Sequence, residues 1–121
     1  MTADVLDEVA LKQFVEDVGP EIDDLIDFFI IDIRGKMDEL AAISDEPDVT
    51  TLTIHAHSLK GLSRTCGMAA IADLAYALEG ACRGGAREQA AAYVADLSKN
   101  LEPAIDALKA FVAIHRVPQP S

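Results

Sequence analysis

His57 is the side chain of this sequence best suited to chemistry, because a lysine and a glycine follow it closely. The residues at positions 56–61 are Ala-His-Ser-Leu-Lys-Gly. A neutral imidazole can attack a reactive acyl phosphate without an activating base, provided that the donor is positioned in line. Lys60, three residues further on, would offset part of the negative charge of a phosphorylated imidazole. This combination predicts a reversible carrier of phosphate.

The residues around His57 share one face of a predicted helix. At about 100° per residue, the apolar positions form a stripe that we expect to be buried: Leu52, Ala56, Leu59, Ser63 and Cys66. The opposite side carries a set that we expect to be exposed and to contact the phosphate or a partner: Thr53, His57, Lys60, Gly61 and Arg64. Gly61 costs a helix interior about 1 kcal/mol relative to alanine, which suggests that a partner approaches closely there.

Five helical segments must position this face. Apolar residues recur at helical spacing over residues 6–18, 21–43, 48 or 49–66, 68–82 and 87–115, with short breaks between them. Long amphipathic helices joined by short turns favour an antiparallel four-helix bundle. We therefore expect an all-α domain over residues 1–121, with the first segment as an additional short N-terminal capping helix. Residues 117–121 are expected to be a frayed tail.

The charge of the chain argues against several classes of partner. The net charge is −11, and the first 48 residues hold fifteen acidic side chains against three basic ones. Such a protein is repelled by nucleic acid and by anionic lipid, so we expect neither as a partner. No apolar stretch approaches the roughly 20 residues that cross a bilayer, and the start does not resemble a secretory signal. We expect a soluble cytoplasmic monomer, because no helix shows a second apolar face.

Other chemistries have weaker support in the sequence. His55 and His57 would point about 200° apart on a helix and cannot share a metal ion. Cys66 and Cys82 fall at apolar positions of the helical patterns, and we expect both to be buried free thiols. The chain has no glycine-rich nucleotide loop, so we expect no ATP binding and no self-phosphorylation. We expect no metal and no cofactor on this chain.

These motifs resemble those of histidine phosphotransfer (HPt) domains of bacterial multistep phosphorelays. The resemblance rests on residues 56–61, on Cys66-Gly67, and on the run from Leu74 to Leu78-Glu79, and the helical layout extends it over most of the chain. It implies a four-helix bundle in which His57 accepts phosphate from the aspartate of one receiver domain and passes it to another.

The resemblance also implies roles for the neighbours of His57. Lys60 would be the phosphate-stabilising cation, Gly61 would give room for the receiver, and Gly67 would match a structural glycine of the family. One departure is that Leu62 and Arg64 are bulky where the family usually has small residues.

The implied partners are response-regulator receiver domains or a hybrid histidine kinase, with Mg²⁺ held by the receiver. The chain would then be a carrier and not an enzyme. Two alternatives stay open. One is an interaction module that binds a kinase or receiver without transferring phosphate. The other is the phosphoacceptor domain of a chemotaxis-type histidine kinase, which a kinase's ATP-binding domain would phosphorylate directly.

Overall fold

The computed structural model describes residues 4–43 and 49–116, and its regular secondary structure there is entirely helical. A short 3₁₀ turn, Gly19–Glu21, joins the first two of five α-helices. The helices are α1 (Glu8–Val18), α2 (Ile22–Ile43), α3 (Thr50–Thr65), α4 (Ala69–Arg83) and α5 (Arg87–His115). The all-α prediction is confirmed. The break expected at residues 44–48 and the frayed tail expected at residues 117–121 lie outside the described residues.

Helices α2 to α5 form the bundle, in which α3 lies between α2 and α4, and α5 lies between α4 and α2. Two ion pairs show that α2 and α5 run antiparallel: Asp23 pairs with Arg116 and Arg34 with Glu102, so rising numbers on α2 meet falling numbers on α5. The apolar stripes of all four helices meet in one core, which Leu11 and Val15 of α1 also enter. This arrangement follows from the amphipathic spacing of each helix.

The start of α1 is tied to the turn between α3 and α4. The Asp7 N–H donates to the Gly67 carbonyl oxygen at 2.8 Å, and the Ala70 N–H donates to the Val5 carbonyl oxygen at 3.3 Å. Gly67 has φ +71°, and a Cβ there would lie 2.9 Å from Leu11 Cβ. Only glycine fits such a backbone and such a contact. The wider role of α1 as a cap on the bundle stays a prediction.

Helices α3 and α4 have the most extensive contact in the bundle. Ala56 on α3 and Ala75 on α4 are fully buried, and small side chains such as these allow two helices to approach closely. Long polar side chains at the edge of this interface can therefore reach the neighbouring helix. Among the described residues, none of the helices is apolar over a length sufficient to span a bilayer.

Candidate functional site

His57 lies in the middle of α3, on the side that points away from the core. Burial of Leu52, Ala56 and Leu59 fixes the rotation of α3 and leaves the His57 side chain 65% exposed. Its Nδ1 atom lies 2.7 Å from Glu79 Oε2 on α4. Nε2 has no hydrogen-bond partner within the described part of the chain. Nδ1 is thus engaged by a carboxylate, and Nε2 is left without a partner among the described residues.

Glu79 is the carboxylate that organises the site, and it is only 2% exposed. Its Oε1 accepts a hydrogen bond from Lys60 Nζ at 2.7 Å, and its Oε2 accepts one from Arg83 Nη2 at 3.2 Å. The hydrogen bond from Lys60 lowers the pKa of Glu79 most, and the hydrogen bond to His57 and the charge of Arg83 lower it further. Burial acts to raise this pKa, but the net result is a pKa below the ordinary value. Glu79 is therefore ionised near neutral pH.

The charge of Glu79 decides the tautomer of the neutral His57 imidazole. An ionised carboxylate can only accept hydrogen bonds, so Nδ1 must carry the proton that it donates to Glu79. The remaining lone pair of the ring then lies on Nε2. Nε2 is therefore the ring nitrogen whose lone pair is available to an approaching group.

Lys60 is less exposed than the helical wheel predicts. Only 14% of its side chain is accessible, because Nζ reaches across to Glu79 and lies 5.5 Å from the centre of the Tyr76 ring. The wheel places Lys60 at the edge of the exposed face, and α4 covers that edge. His57 and Lys60 are brought together through a residue on another helix.

The other residues expected at the site occupy different surroundings. Gly61 is exposed, and a Cβ there would meet nothing within 4 Å. Arg64 is also exposed, with its guanidinium carbon 5.8 Å from the centre of the Tyr76 ring. Thr53 is half-buried, and its hydroxyl donates to the Val49 carbonyl oxygen at 2.7 Å. The proposed docking residues therefore share the α3 surface, but the Thr53 hydroxyl is engaged by the backbone.

Leu62 does not project from this surface, because it is half-buried and packs against the core. The bulk of Leu62, which the sequence analysis noted as a departure, thus packs partly against the core of the bundle. Gly67 lies at the far end of α3, where it contacts α1 rather than the surroundings of His57.

Sequence reasoning gave no site role to three residues that the structure places there: Tyr76, Glu79 and Arg83. A signal existed for Glu79, which lies between Leu78 and Cys82 on the apolar side of α4. A carboxylate on such a face must be paired, since burying it alone is costly. The sequence nevertheless does not show which cations it meets, because that depends on the register of α4 against α3.

The remaining candidates lie apart from this cluster. His55 Nδ1 is 2.9 Å from Glu39 Oε2, on the α2 side of α3. Cys66 and Cys82 are free and buried, as predicted, and burial raises the pKa of the Cys66 thiol to about 11. Such thiols stay protonated and unreactive. Residues 4–43 and 49–116 contain no group of three or more His, Cys, Asp or Glu side chains that could hold a metal ion.

The fold and the site define a helical bundle that presents one histidine, held at Nδ1 by a buried carboxylate and left open at Nε2. The family model described as Hpt domain matches residues 9–115, and the chain belongs to this family. Hpt domains are phosphocarrier modules of histidine phosphotransfer in phosphorelays, where they interact with receiver domains and kinases. The resemblance found in the sequence is therefore confirmed. No curated protein and no solved structure matches the chain.

Proposed function

We propose that this domain carries a phosphoryl group on His57, which it accepts from the aspartyl phosphate of one receiver domain and passes to another. The observation that carries the proposal is the 2.7 Å contact between Nδ1 and the buried Glu79 carboxylate on a ring that stays 65% exposed. A ring fixed in this way presents Nε2 in one orientation to an incoming donor. Fixed orientation removes much of the entropic cost of an in-line attack.

The transfer step balances with the groups present. The Nε2 lone pair attacks phosphorus, and the bond from phosphorus to the receiver's carboxylate oxygen breaks as the N–P bond forms. The carboxylate of the receiver leaves with the electron pair. Nδ1 keeps its proton, so the imidazole gains positive charge, which the Glu79 carboxylate at 2.7 Å offsets. In the return step the N–P electrons go back to Nε2, and the neutral ring is regenerated.

The cations around Glu79 suit the charge of a phosphoryl group. Lys60 and Arg83 together carry two positive charges against the single charge of Glu79. The surplus positive charge lies beside the ring that would hold the phosphoryl group. Arg83 is 66% exposed, so its guanidinium can turn toward a group on His57 without unpacking the core.

The surface around His57 also leaves space for a receiver. Gly61 lies one helical turn beyond His57, and no internal contact requires a glycine at that position. A helix interior gains about 1 kcal/mol when glycine is replaced by alanine, so the bare backbone costs stability that nothing within the bundle explains. The close approach of a partner accounts for it. Arg64, on the same surface, can pair with acidic groups of that partner.

The receiver supplies Mg²⁺ and most of the groups that act on phosphorus, and this chain acts as a monomer in the bacterial cytoplasm. Its own contribution is the oriented imidazole and the adjacent cations. The same step runs in both directions, since acyl phosphate and phosphohistidine are both reactive.

The proposal can be tested by incubating the domain with receiver domains that acetyl phosphate has phosphorylated, and by measuring phosphoryl transfer to the domain. An acid-labile phosphate should appear on the chain, map to His57 by mass spectrometry, and vanish in His57→Gln. The matched control is His55→Gln, which removes an imidazole from the α2 side of the same helix and should still accept phosphate. Label that persists in His57→Gln contradicts the proposal.

Two further outcomes separate the alternatives. Receivers that bind the domain but never label it would identify an interaction module. Labelling that occurs with ATP and a kinase's ATP-binding domain, and with no receiver, would identify the phosphoacceptor domain of a chemotaxis-type kinase. Either result overturns the receiver-to-receiver role.

A further inference from the structure

Tyr76 is a large aromatic side chain that lies at the site and is 59% exposed. The centre of its ring is 5.5 Å from Lys60 Nζ and 5.8 Å from the guanidinium carbon of Arg64. It precedes Glu79 by three residues on α4, so the two side chains lie about one turn apart. Packing in the core does not account for an aromatic residue at this position, since more than half of the surface of Tyr76 is exposed.

The two cations reach the ring from successive turns of α3. Lys60 and Arg64 are four residues apart and therefore lie on one side of the helix. The face of an aromatic ring attracts ammonium and guanidinium groups that lie within about 6 Å of its centre. Tyr76 thus contacts the cation that Glu79 holds, together with a second cation that faces solvent.

The contact explains why Lys60 is only 14% exposed at the edge of an exposed face. A lysine at such a position ordinarily extends into water and samples many rotamers. Here Nζ is bonded to Glu79 Oε1 and also lies near the Tyr76 ring. A ring that excludes water from one side of an ion pair strengthens the attraction within it.

We infer that Tyr76 is a positioning residue for phosphotransfer, whose ring holds Lys60 against Glu79 and so keeps the carboxylate that orients His57 in place. This inference rests on the proposed function of His57. Tyr76 does not touch the reacting atoms and acts through Lys60. The same ring gives Arg64 a defined place on the surface that faces the partner.

Two substitutions distinguish the effect of the aromatic ring from the effects of the hydroxyl group and of apolar bulk. Tyr76→Phe keeps the aromatic face and removes the hydroxyl, whereas Tyr76→Leu keeps an apolar side chain and removes the aromatic face. In Tyr76→Leu we expect the second-order rate constant for transfer from a phosphorylated receiver to fall about two- to fivefold. Tyr76→Phe should restore the wild-type value. Because the side chain is mostly exposed, both variants should retain the helical circular dichroism spectrum.

A chemical probe reports on Lys60 without any transfer. Brief treatment with acetic anhydride, followed by mass spectrometry, measures how accessible each lysine amine is. Acetylation of Lys60, relative to the exposed Lys12, should rise about two- to fivefold in Tyr76→Leu and stay unchanged in Tyr76→Phe. Acetylation of Lys60 in Tyr76→Leu that equals the wild-type level would overturn the inference.

A double-mutant cycle with Lys60→Ala tests whether Tyr76 acts through Lys60. Tyr76→Leu should slow transfer in the wild-type background and have a much smaller effect when Lys60 is already alanine. An equal effect in both backgrounds would overturn the inference, as would a Phe variant as slow as the Leu variant. If the wild-type chain transferred no phosphate, the proposed function would fail, and the acetylation result would still decide the contact between Tyr76 and Lys60.

Discussion

The substitution Glu79→Gln tests the central contact of the site. Glutamine keeps the size of the side chain but removes the negative charge that faces three partners. Lys60 Nζ and His57 Nδ1 each lie 2.7 Å from the carboxylate, and Arg83 Nη2 lies 3.2 Å from it. Lys60 would then be left as a mostly buried cation with no carboxylate to neutralise it. The single amide oxygen of glutamine can accept from His57 Nδ1 or from Lys60 Nζ, whereas Glu79 accepts from each on a separate oxygen. The neutral amide also provides no negative charge to offset positive charge on the imidazole.

The expected magnitudes follow from the strength of these contacts. A hydrogen bond to a charged group contributes about 1.5–3 kcal/mol. If this stabilisation is lost where positive charge develops on the imidazole, transfer slows about ten- to a hundredfold. The free energy of unfolding should fall by about 1–3 kcal/mol, because Lys60 and Arg83 are partly exposed and water compensates them in part.

Single-turnover transfer from a phosphorylated receiver measures the first effect, and urea unfolding measures the second. The matched control is Glu102→Gln, which removes the carboxylate paired with Arg34 at the α2–α5 interface. That pair is exposed, so we expect a change in stability of under about 1 kcal/mol and no change in the transfer rate. A folded Glu79→Gln protein that transfers phosphate at the wild-type rate would refute the argument that the negative charge of Glu79 supports transfer at His57.

Three further predictions concern stability, docking and pH. Gly61→Ala should raise the free energy of unfolding by about 0.5–1 kcal/mol, since the new Cβ meets nothing within 4 Å. The same variant should accept phosphate from the receiver more slowly, and unimpaired transfer would remove the docking explanation for this glycine. Gly67→Ala should lower the free energy of unfolding by about 1–3 kcal/mol, because φ is +71° and the new Cβ would lie 2.9 Å from Leu11 Cβ. An unchanged melting temperature would contradict this prediction. The lowered pKa of Glu79 means that its ionised form stabilises the fold fully above its ordinary pKa of 4.5, and that this contribution is lost as the pH falls through the lower folded value. Wild type and Glu79→Gln should therefore differ in urea unfolding at pH 6–7 and converge in acid, and a difference that grew in acid would refute the sign of the shift.

The helices could be predicted from the sequence because their signals are local. The amphipathic period and the short breaks between the apolar segments placed each described helix boundary within two residues of its position in the structure. Helix formation depends on contacts three and four residues apart, which a single sequence displays directly. The approach of α1 to Gly67 was not predicted, because it depends on backbone contacts between distant segments.

In the candidate site, too, features that depend on one helix could be predicted, and features that depend on contacts between helices could not. His57 could be placed on the exposed side of α3 because the buried stripe of the same helix determines that side. The predicted exposure of Lys60 was too high, because the wheel treats α3 as an isolated cylinder. Whether Lys60 lies in water or against a carboxylate depends on which α4 residue faces it.

The sequence by itself determined that one histidine lies in solvent on an amphipathic helix, with a glycine and cations close to it. Only the tertiary structure decided which nitrogen of that histidine is open. Glu79 lies 22 residues from His57 and 19 from Lys60 along the chain, and it meets both through the packing of α4 on α3. The register of two helices depends on how the side chains of their shared interface fit together. The tautomer of His57, the burial of Lys60 and the position of Tyr76 all follow from that fit, and no local pattern in the sequence specifies it.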